Sequence, residues 1–222
     1  FLTVGVLNAL VAVYIFALVP EFLMRFLAWL LIHSVYRVRQ EGLDNIPDEG
    51  PCVLVCNHVS YVDAVVIAAC VRRPVRFVMD HQIFRIPLLS FIFRAMRAIP
   101  IAPARVDAGL KERAIGEAQA ALAAGEVVGI FPEGRLTEDG EIGPFRPGVQ
   151  QIVAAVPAPV VPMALSGLWG SFFSRAYKGK AMRRLRGMFS RIAFVVAPPI
   201  APTAATPEAL QAIVAGLRGD LR

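Results

Sequence analysis

From residue 52 onward, short apolar runs that read as buried strands alternate with longer runs of helical character. That alternation limits the chain to an α/β domain with a mostly parallel central sheet flanked by helices. Strands are predicted at 53–56, 75–79, 99–102, 127–131, 160–165 and 192–196. Helices are predicted at 60–70, at 84–96 despite Pro87, at 107–124 between Asp107 and its stop at Gly125, in a short stretch after Pro147, and at 206–217 with Pro207 in the first turn. The Ala- and Pro-rich stretch 197–206 reads as a linker to the last helix. Neither a repeat nor a second folded domain is visible.

The front of the chain is different. Residues 1–20 carry no charge, and about 20 apolar residues suffice to span a bilayer. A second apolar stretch, 22–36, is broken by Arg25 and His33, and only eleven residues separate Arg25 from Arg37. At about 1.5 Å per residue that is too short to cross, so it reads as a helix in the membrane interface, with Trp29, Tyr36, Arg37 and Arg39 near the headgroups. Arg37 and Arg39 favour a cytoplasmic position for the chain downstream of them. The expected organisation is membrane-anchoring helices over 1–36 and a folded domain over 37–222. There is no basic leader and no small-residue cleavage site, so residues 1–20 do not read as a signal peptide.

The net charge is +6, from 23 basic and 17 acidic residues. The most biased block is 171–191, which holds Arg175, Lys178, Lys180, Arg183, Arg184, Arg186 and Arg191 without an acid. Beside an apolar anchor, such a block suits anionic lipid or an acidic carrier. No nucleic-acid recognition motif accompanies it, so nucleic acid is not expected as a partner. Cys52, Cys56 and Cys70 do not form a disulfide framework. Cys52 and Cys56 stand about 13 Å apart on one strand, too far to share a metal; all three read as reduced core thiols.

In open α/β sheets, sites form beyond the carboxyl ends of strands, and three motifs lie there. Asn57-His58-Val59-Ser60-Tyr61-Val62-Asp63 places a histidine and an aspartate, with four residues between them, at a strand-to-helix junction. Asp63 can orient the imidazole through Nδ1, leaving Nε2 to take a proton. Ser60-x-x-Asp63 equally matches a helix capping box, so the pair is open to a structural reading. Phe131-Pro132-Glu133-Gly134-Arg135 stops a strand at proline and lets backbone approach a ligand at glycine. There Glu133 can bond polyol hydroxyls and Arg135 can grip a phosphate. Phe145-Arg146-Pro147-Gly148 opens a helix whose first amides favour anions. Arg97 and Arg105 flank residues 98–101 as further phosphate candidates.

In this order and spacing the motifs resemble the glycerolipid acyltransferase family, of the lysophosphatidic acid acyltransferase type, over roughly residues 35–200. The resemblance rests on His58 with Asp63, on Phe131 to Gly134, and on the apolar strand ending Val160-Val161-Pro162. Arg135-Leu136-Thr137 stands where Thr-Arg-Ser is usual, which is similar to the branch acting on 2-acyl-glycerophosphoethanolamine, a domain often fused to transporter or acyl-carrier-ligase domains. Ala102-Pro103 stands where that family has an Asp-Arg pair, with Arg105 two residues late.

The resemblance implies transfer of a fatty acyl group from a thioester, on coenzyme A or acyl carrier protein, to the free hydroxyl of a lysophospholipid such as 1-acylglycerol-3-phosphate or 2-acyl-glycerophosphoethanolamine. It implies His58 as general base and Asp63 as its orienting partner. It implies Glu133 and Gly134 at the acceptor's glycerol and Arg135 or Arg146 near its phosphate, with Arg105 a further phosphate candidate by its place beside residues 98–101. No metal is implied, and no cofactor beyond the acyl donor. Membrane lipids are the expected surroundings, with the catalytic domain on the cytoplasmic side. Two other readings stay open at this point: a lipid hydrolase with Ser60 as nucleophile, although no G-x-S-x-G elbow exists, and a non-catalytic lipid-binding module.

Overall fold

The computed structural model describes residues 1–18, 20–174, 176 and 189–220. Two helices, α1 (Leu2–Leu18) and α2 (Pro20–Val35), precede the first strand, β1 (Tyr36–Glu41). Alternation then continues through β2 (Cys52–Cys56), α3 (Asp63–Cys70), β3 (Val75–Asp80), α4 (Pro87–Ala95), β4 (Ile99–Ile101), α5 (Ala108–Ala123), β5 (Val127–Ile130), α6 (Gly148–Ala155), β6 (Val160–Ser166), β7 (Ser190–Val196) and α7 (Pro207–Arg218).

The strands form one sheet in the order β1-β7-β6-β2-β5-β3-β4. From β6 to β4 every pairing is parallel, whereas β7 runs antiparallel to β6 and parallel to β1. β2 lies between β5 and β6, buried on both faces, and its unbroken run Cys52-Val53-Leu54-Val55-Cys56 suits that place. Cys52, Leu54 and Cys56 face a core shared with Ile32 of α2 and with Val66 and Ile67 of α3. Val53 and Val55 face the opposite core, with Ala118 and Leu122 of α5, Ile152 of α6, and Leu210 and Val214 of α7. The three cysteines are free and buried. Burial raises the thiol of Cys52 to about 11 and that of Cys70 to about 12, so they stay protonated near neutral pH.

Several element starts differ from the sequence expectation, each for a local reason. Residues 81–85 form a 3-10 turn, and α4 begins only at Pro87, whose missing N–H costs nothing in a first turn. α3 begins at Asp63 rather than near 60, because Ser60 bridges Ser174 and Asp63 folds back onto the preceding amides. Tyr36 is not at a membrane surface. It is buried at the start of β1, with its hydroxyl 3.1 Å from Ser171 Oγ. Along β1 the sequence Tyr36-Arg37-Val38-Arg39 alternates inward and outward, a period-2 strand pattern masked by the apolar helix just before it.

α2 is anchored to the domain: Ala28, Ile32 and Val35 are buried, and Arg25 Nη2 donates to the Val71 carbonyl at 2.6 Å. α1 is not; side chains 2–14 are exposed throughout. It has 17 residues, about 26 Å at 1.5 Å per residue against a hydrocarbon core of about 30 Å. Among the described residues no helix is long and apolar enough to cross a membrane. Of the basic block, Arg191 lies exposed in β7, while Arg175, Lys178, Lys180, Arg183, Arg184 and Arg186 lie outside the described residues.

Candidate active site

The site is built where β2 and β5, neighbours in the sheet, end side by side. Beyond β2 the chain is clamped at once. The buried Asn57 amide donates from Nδ2 to the Leu165 carbonyl at 2.9 Å and accepts the Leu165 N–H on Oδ1 at 2.8 Å. With both ends of the amide satisfied on β6, the next residue is committed to a fixed position.

That residue is His58. Its Nδ1 lies 2.8 Å from Oδ2 of Asp63, and the same oxygen accepts the N–H groups of Val59 at 2.6 Å and Ser60 at 2.9 Å. An ionised carboxylate only accepts, so Nδ1 carries the proton and the lone pair of the neutral ring sits on Nε2. Asp63 is fully buried, and its Oδ1 has no hydrogen-bond partner among the described residues. The His58 side chain keeps 24 % of its surface exposed. With Nδ1 turned inward against a buried group, the open side of the ring is the one bearing Nε2. Phe131 sets the ring plane: the two rings stack with centroids 4.2 Å apart and planes 16° apart, and Phe77 stacks behind Phe131. Gly129, one strand residue before Ile130, makes room for that stack, since a Cβ there would come within 2.7 Å of the Phe77 ring.

The loop after β5 holds the His58 main chain. Glu133 Oε1 accepts the His58 N–H at 2.7 Å, and the Thr137 N–H donates to the His58 carbonyl at 3.1 Å. Glu133 Oε2 accepts the Gly143 N–H at 2.8 Å, which closes the loop on itself. Glu133 is only 4 % exposed. Burial pushes its carboxyl above the usual range, and the two amide bonds and the neighbouring His58 oppose that rise. Thr137 stiffens the turn: its hydroxyl lies 2.7 Å from the Glu141 carbonyl and accepts the Gly140 N–H at 3.0 Å.

The remaining candidates divide. Gly134 has φ of 65°, which favours glycine, and a Cβ there would crowd the Arg146 guanidinium at 3.0–3.3 Å. Arg146, whose N–H donates to the Pro132 carbonyl at 2.9 Å, thereby lies across the tip of the Glu133 loop. Arg135 is exposed in the same turn. Arg105 lies beyond β4 and is exposed at the same end of the sheet, three strand spacings from β2, about 14 Å at the usual 4.8 Å per strand. Arg97 is not a phosphate candidate. It precedes β4 at the opposite end of the sheet, where Nη1 meets Glu126 at 2.5 Å. The expectation that Glu133 reaches toward a ligand also meets a different geometry, since each of its oxygens already accepts a main-chain N–H.

Four contributors lie outside the sequence expectations. Asn57 has a legible signal, a buried amide ending an apolar strand, which must find two partners. Phe131 reads only as part of a turn motif, and Thr137 and Gly143 give no signal: Thr137 pairs with the distant His58, and Gly143 pairs through its main chain with Glu133 across the loop.

Ser60 is fully buried and its hydroxyl donates to the Phe173 carbonyl at 3.1 Å rather than to His58. That arrangement turns it away from the role of a nucleophile, whose proton must pass to the histidine. What remains is a base with a free nitrogen, backed by a buried carboxylate, beside a loop carrying two exposed arginines.

Two acyltransferases match about two thirds of this chain. A chloroplastic 1-acyl-sn-glycerol-3-phosphate acyltransferase of Brassica napus is 31% identical over 148 residues, covering 66% of this chain and 42% of that protein. A 1-acyl-sn-glycerol-3-phosphate acyltransferase of Pseudomonas aeruginosa is 28% identical over 141 residues, covering 63% of this chain and 54% of its own length. The chain thus spans less than two thirds of either relative. Its fold is that of the crystal structure of the 1-acyl-sn-glycerophosphate acyltransferase PlsC of Thermotoga maritima, at a TM-score of 0.62 and 23% identity, over 82% of this chain and 69% of that one. The Acyltransferase family model matches residues 37–166, from β1 through the end of β6, and so takes in His58, Asp63 and the whole loop after β5. By that match, over more than half its length, this chain belongs to the acyltransferase family.

Proposed function

We propose that the protein transfers a fatty acyl group from an acyl thioester to the free hydroxyl of a lysophospholipid at a membrane surface. The observation that carries this is His58, held by Asp63 through Nδ1 and open at Nε2. As the acceptor oxygen attacks the thioester carbonyl, Nε2 takes its proton; the thiolate departs and receives that proton from the ring, leaving an ester and a thiol. No acyl-enzyme is required, because a thiolate is already a good leaving group.

Arg146 and Arg135 stand at the loop tip where an acceptor phosphate is grasped, as an arginine fork grips phosphate oxygens in pairs. Either 1-acylglycerol-3-phosphate or 2-acyl-glycerophosphoethanolamine fits this chemistry. Coenzyme A and acyl carrier protein both present the same thioester, and both are anionic enough to suit a basic surface. Helices α1 and α2 serve in this reading as the membrane anchor, with the sheet domain on the cytoplasmic side.

The test is turnover by the purified protein in lipid nanodiscs, with a panel of lysophospholipids and both donor types. Formation of diacyl product with at least one pair is expected. Binding without turnover of any pair refutes the enzyme and leaves a lipid-binding module.

The anchor has its own test. Removing residues 1–18 takes away an apolar helix exposed along its described length, with Leu2 at 84% and Leu7 at 62%. Because no described side chain of α1 joins the sheet core, the melting temperature is expected to hold while partition onto vesicles weakens at least about tenfold, the loss of a single well-buried leucine's worth of transfer free energy. Unchanged co-sedimentation with vesicles would show that α1 is not the anchor.

A further inference from the structure

We propose that Glu133 is a positioning residue that fixes the main chain of His58, and that it does not bind the acyl acceptor. The inference rests on the acyltransferase reading for its kinetic test but not for its structural one.

The geometry accounts for both carboxylate oxygens. Oε1 receives the His58 N–H at 2.7 Å and Oε2 receives the Gly143 N–H at 2.8 Å, both lengths of charge-assisted bonds. At 4 % exposure, almost none of the residue is open to a ligand. Among the described residues no lysine or arginine pairs with it, and the nearby Arg146 guanidinium lies over Gly134 instead. The His58 carbonyl is held from the same loop by Thr137. The base is therefore fastened on three sides: its ring nitrogen by Asp63, its N–H by Glu133 and its carbonyl by Thr137. Two of those three fastenings come from the loop after β5, which explains why a glutamate sits there, between the strand and the arginines. A neutral or shorter side chain cannot hold His58 and Gly143 together.

Glu133→Gln keeps the length and one acceptor oxygen but replaces the other with an amide that cannot accept an N–H. A positioning role predicts that kcat falls by about 10- to 100-fold, the cost of a small misplacement of a reacting group, while the KM for lysophospholipid changes less than about threefold. An acceptor-binding role predicts the reverse, a raised KM with kcat largely kept, and that result overturns the inference. Glu133→Asp, which cannot span both amides, is expected to lose kcat in the same way.

The second measurement needs no variant. In the wild-type chain in nanodiscs, hydrogen exchange at the His58 and Gly143 amides should be slow and should stay slow when lysophospholipid is added to saturation without donor. If the acceptor takes the Glu133 oxygens for itself, these two amides lose protection on its addition, and the inference fails. Should the wild-type protein turn over no lysophospholipid, the acyltransferase reading falls, and the two amides still decide the position of Glu133.

Discussion

Replacing His58 with alanine is expected to lower acyl transfer by about 10²- to 10⁴-fold, the range that a well-placed general base supplies. The protein should survive the change. The His58 N–H and carbonyl are held by Glu133 and Thr137 through the main chain, which alanine keeps. Asp63 still accepts from Val59 and Ser60 after the imidazole is gone. The structural loss is one ring hydrogen bond and the stack on Phe131, which together should cost about 1–3 kcal/mol. Lysophospholipid affinity should change little, since the arginines proposed to meet a phosphate are on the other loop. The measurement is initial rate against melting temperature and acceptor binding for the same preparation. A folded, lipid-binding His58→Ala protein that keeps more than a tenth of the wild-type rate would remove His58 from the chemistry.

The relation between sequence and structure explains why this residue is legible and others are not. A strand such as Cys52–Cys56 announces itself because both of its faces are buried, so every residue in it must be apolar. The site histidine has the same cause, since polar residues placed directly after such a strand sit at the sheet's carboxyl edge. β1 escapes notice although Tyr36-Arg37-Val38-Arg39 has the strand period, because an apolar helix ends where it begins and its arginines resemble an interfacial anchor. The reversal of β7 leaves no trace in composition, for an antiparallel strand needs the same apolar residues as a parallel one; it depends on the path between β6 and β7. The brace made by Glu133 is of the same kind. It joins an amide 75 positions earlier to one 10 positions later, and neither His58 nor Gly143 advertises a free N–H. Local patterns carry the strands and the base. The contacts that set the base in place are long-range, and only the folded chain displays them.

The capping-box alternative for Asp63 shares an atom with the catalytic one. Oδ2 accepts the Ser60 N–H, as the box requires, and lies against Nδ1 of His58. The reciprocal half of the box is missing: the Asp63 N–H donates to the Ser60 carbonyl at 3.4 Å, and Ser60 Oγ accepts the Val62 N–H at 3.5 Å instead. One oxygen thus holds the two loop amides ahead of α3 and orients the base, and the two roles separate only by charge. Asp63→Asn makes that separation. An asparagine oxygen in the place of Oδ2 keeps the Val59 and Ser60 amides and the Nδ1 proton, so the loop and the tautomer survive. Its NH₂ then occupies the Oδ1 position, where no described group bonds, and an unsatisfied buried donor there costs about 1–3 kcal/mol. The negative charge behind the ring is gone, however, and with it the stabilisation of the imidazolium that forms when Nε2 takes the acceptor proton. The same exchange in a serine–histidine–aspartate triad costs about 10⁴-fold through the wrong imidazole tautomer; with the tautomer kept here and only the charge lost, kcat should fall by about 10- to 10²-fold in a protein that still folds. Asp63→Ala is the weaker experiment: it strands two buried amides and the ring N–H together, so a loss of rate could result from a loss of fold. Turnover by Asp63→Asn within about threefold of wild type, alongside a lowered melting temperature, would assign Asp63 to holding the loop amides alone and leave His58 to act without a charged partner.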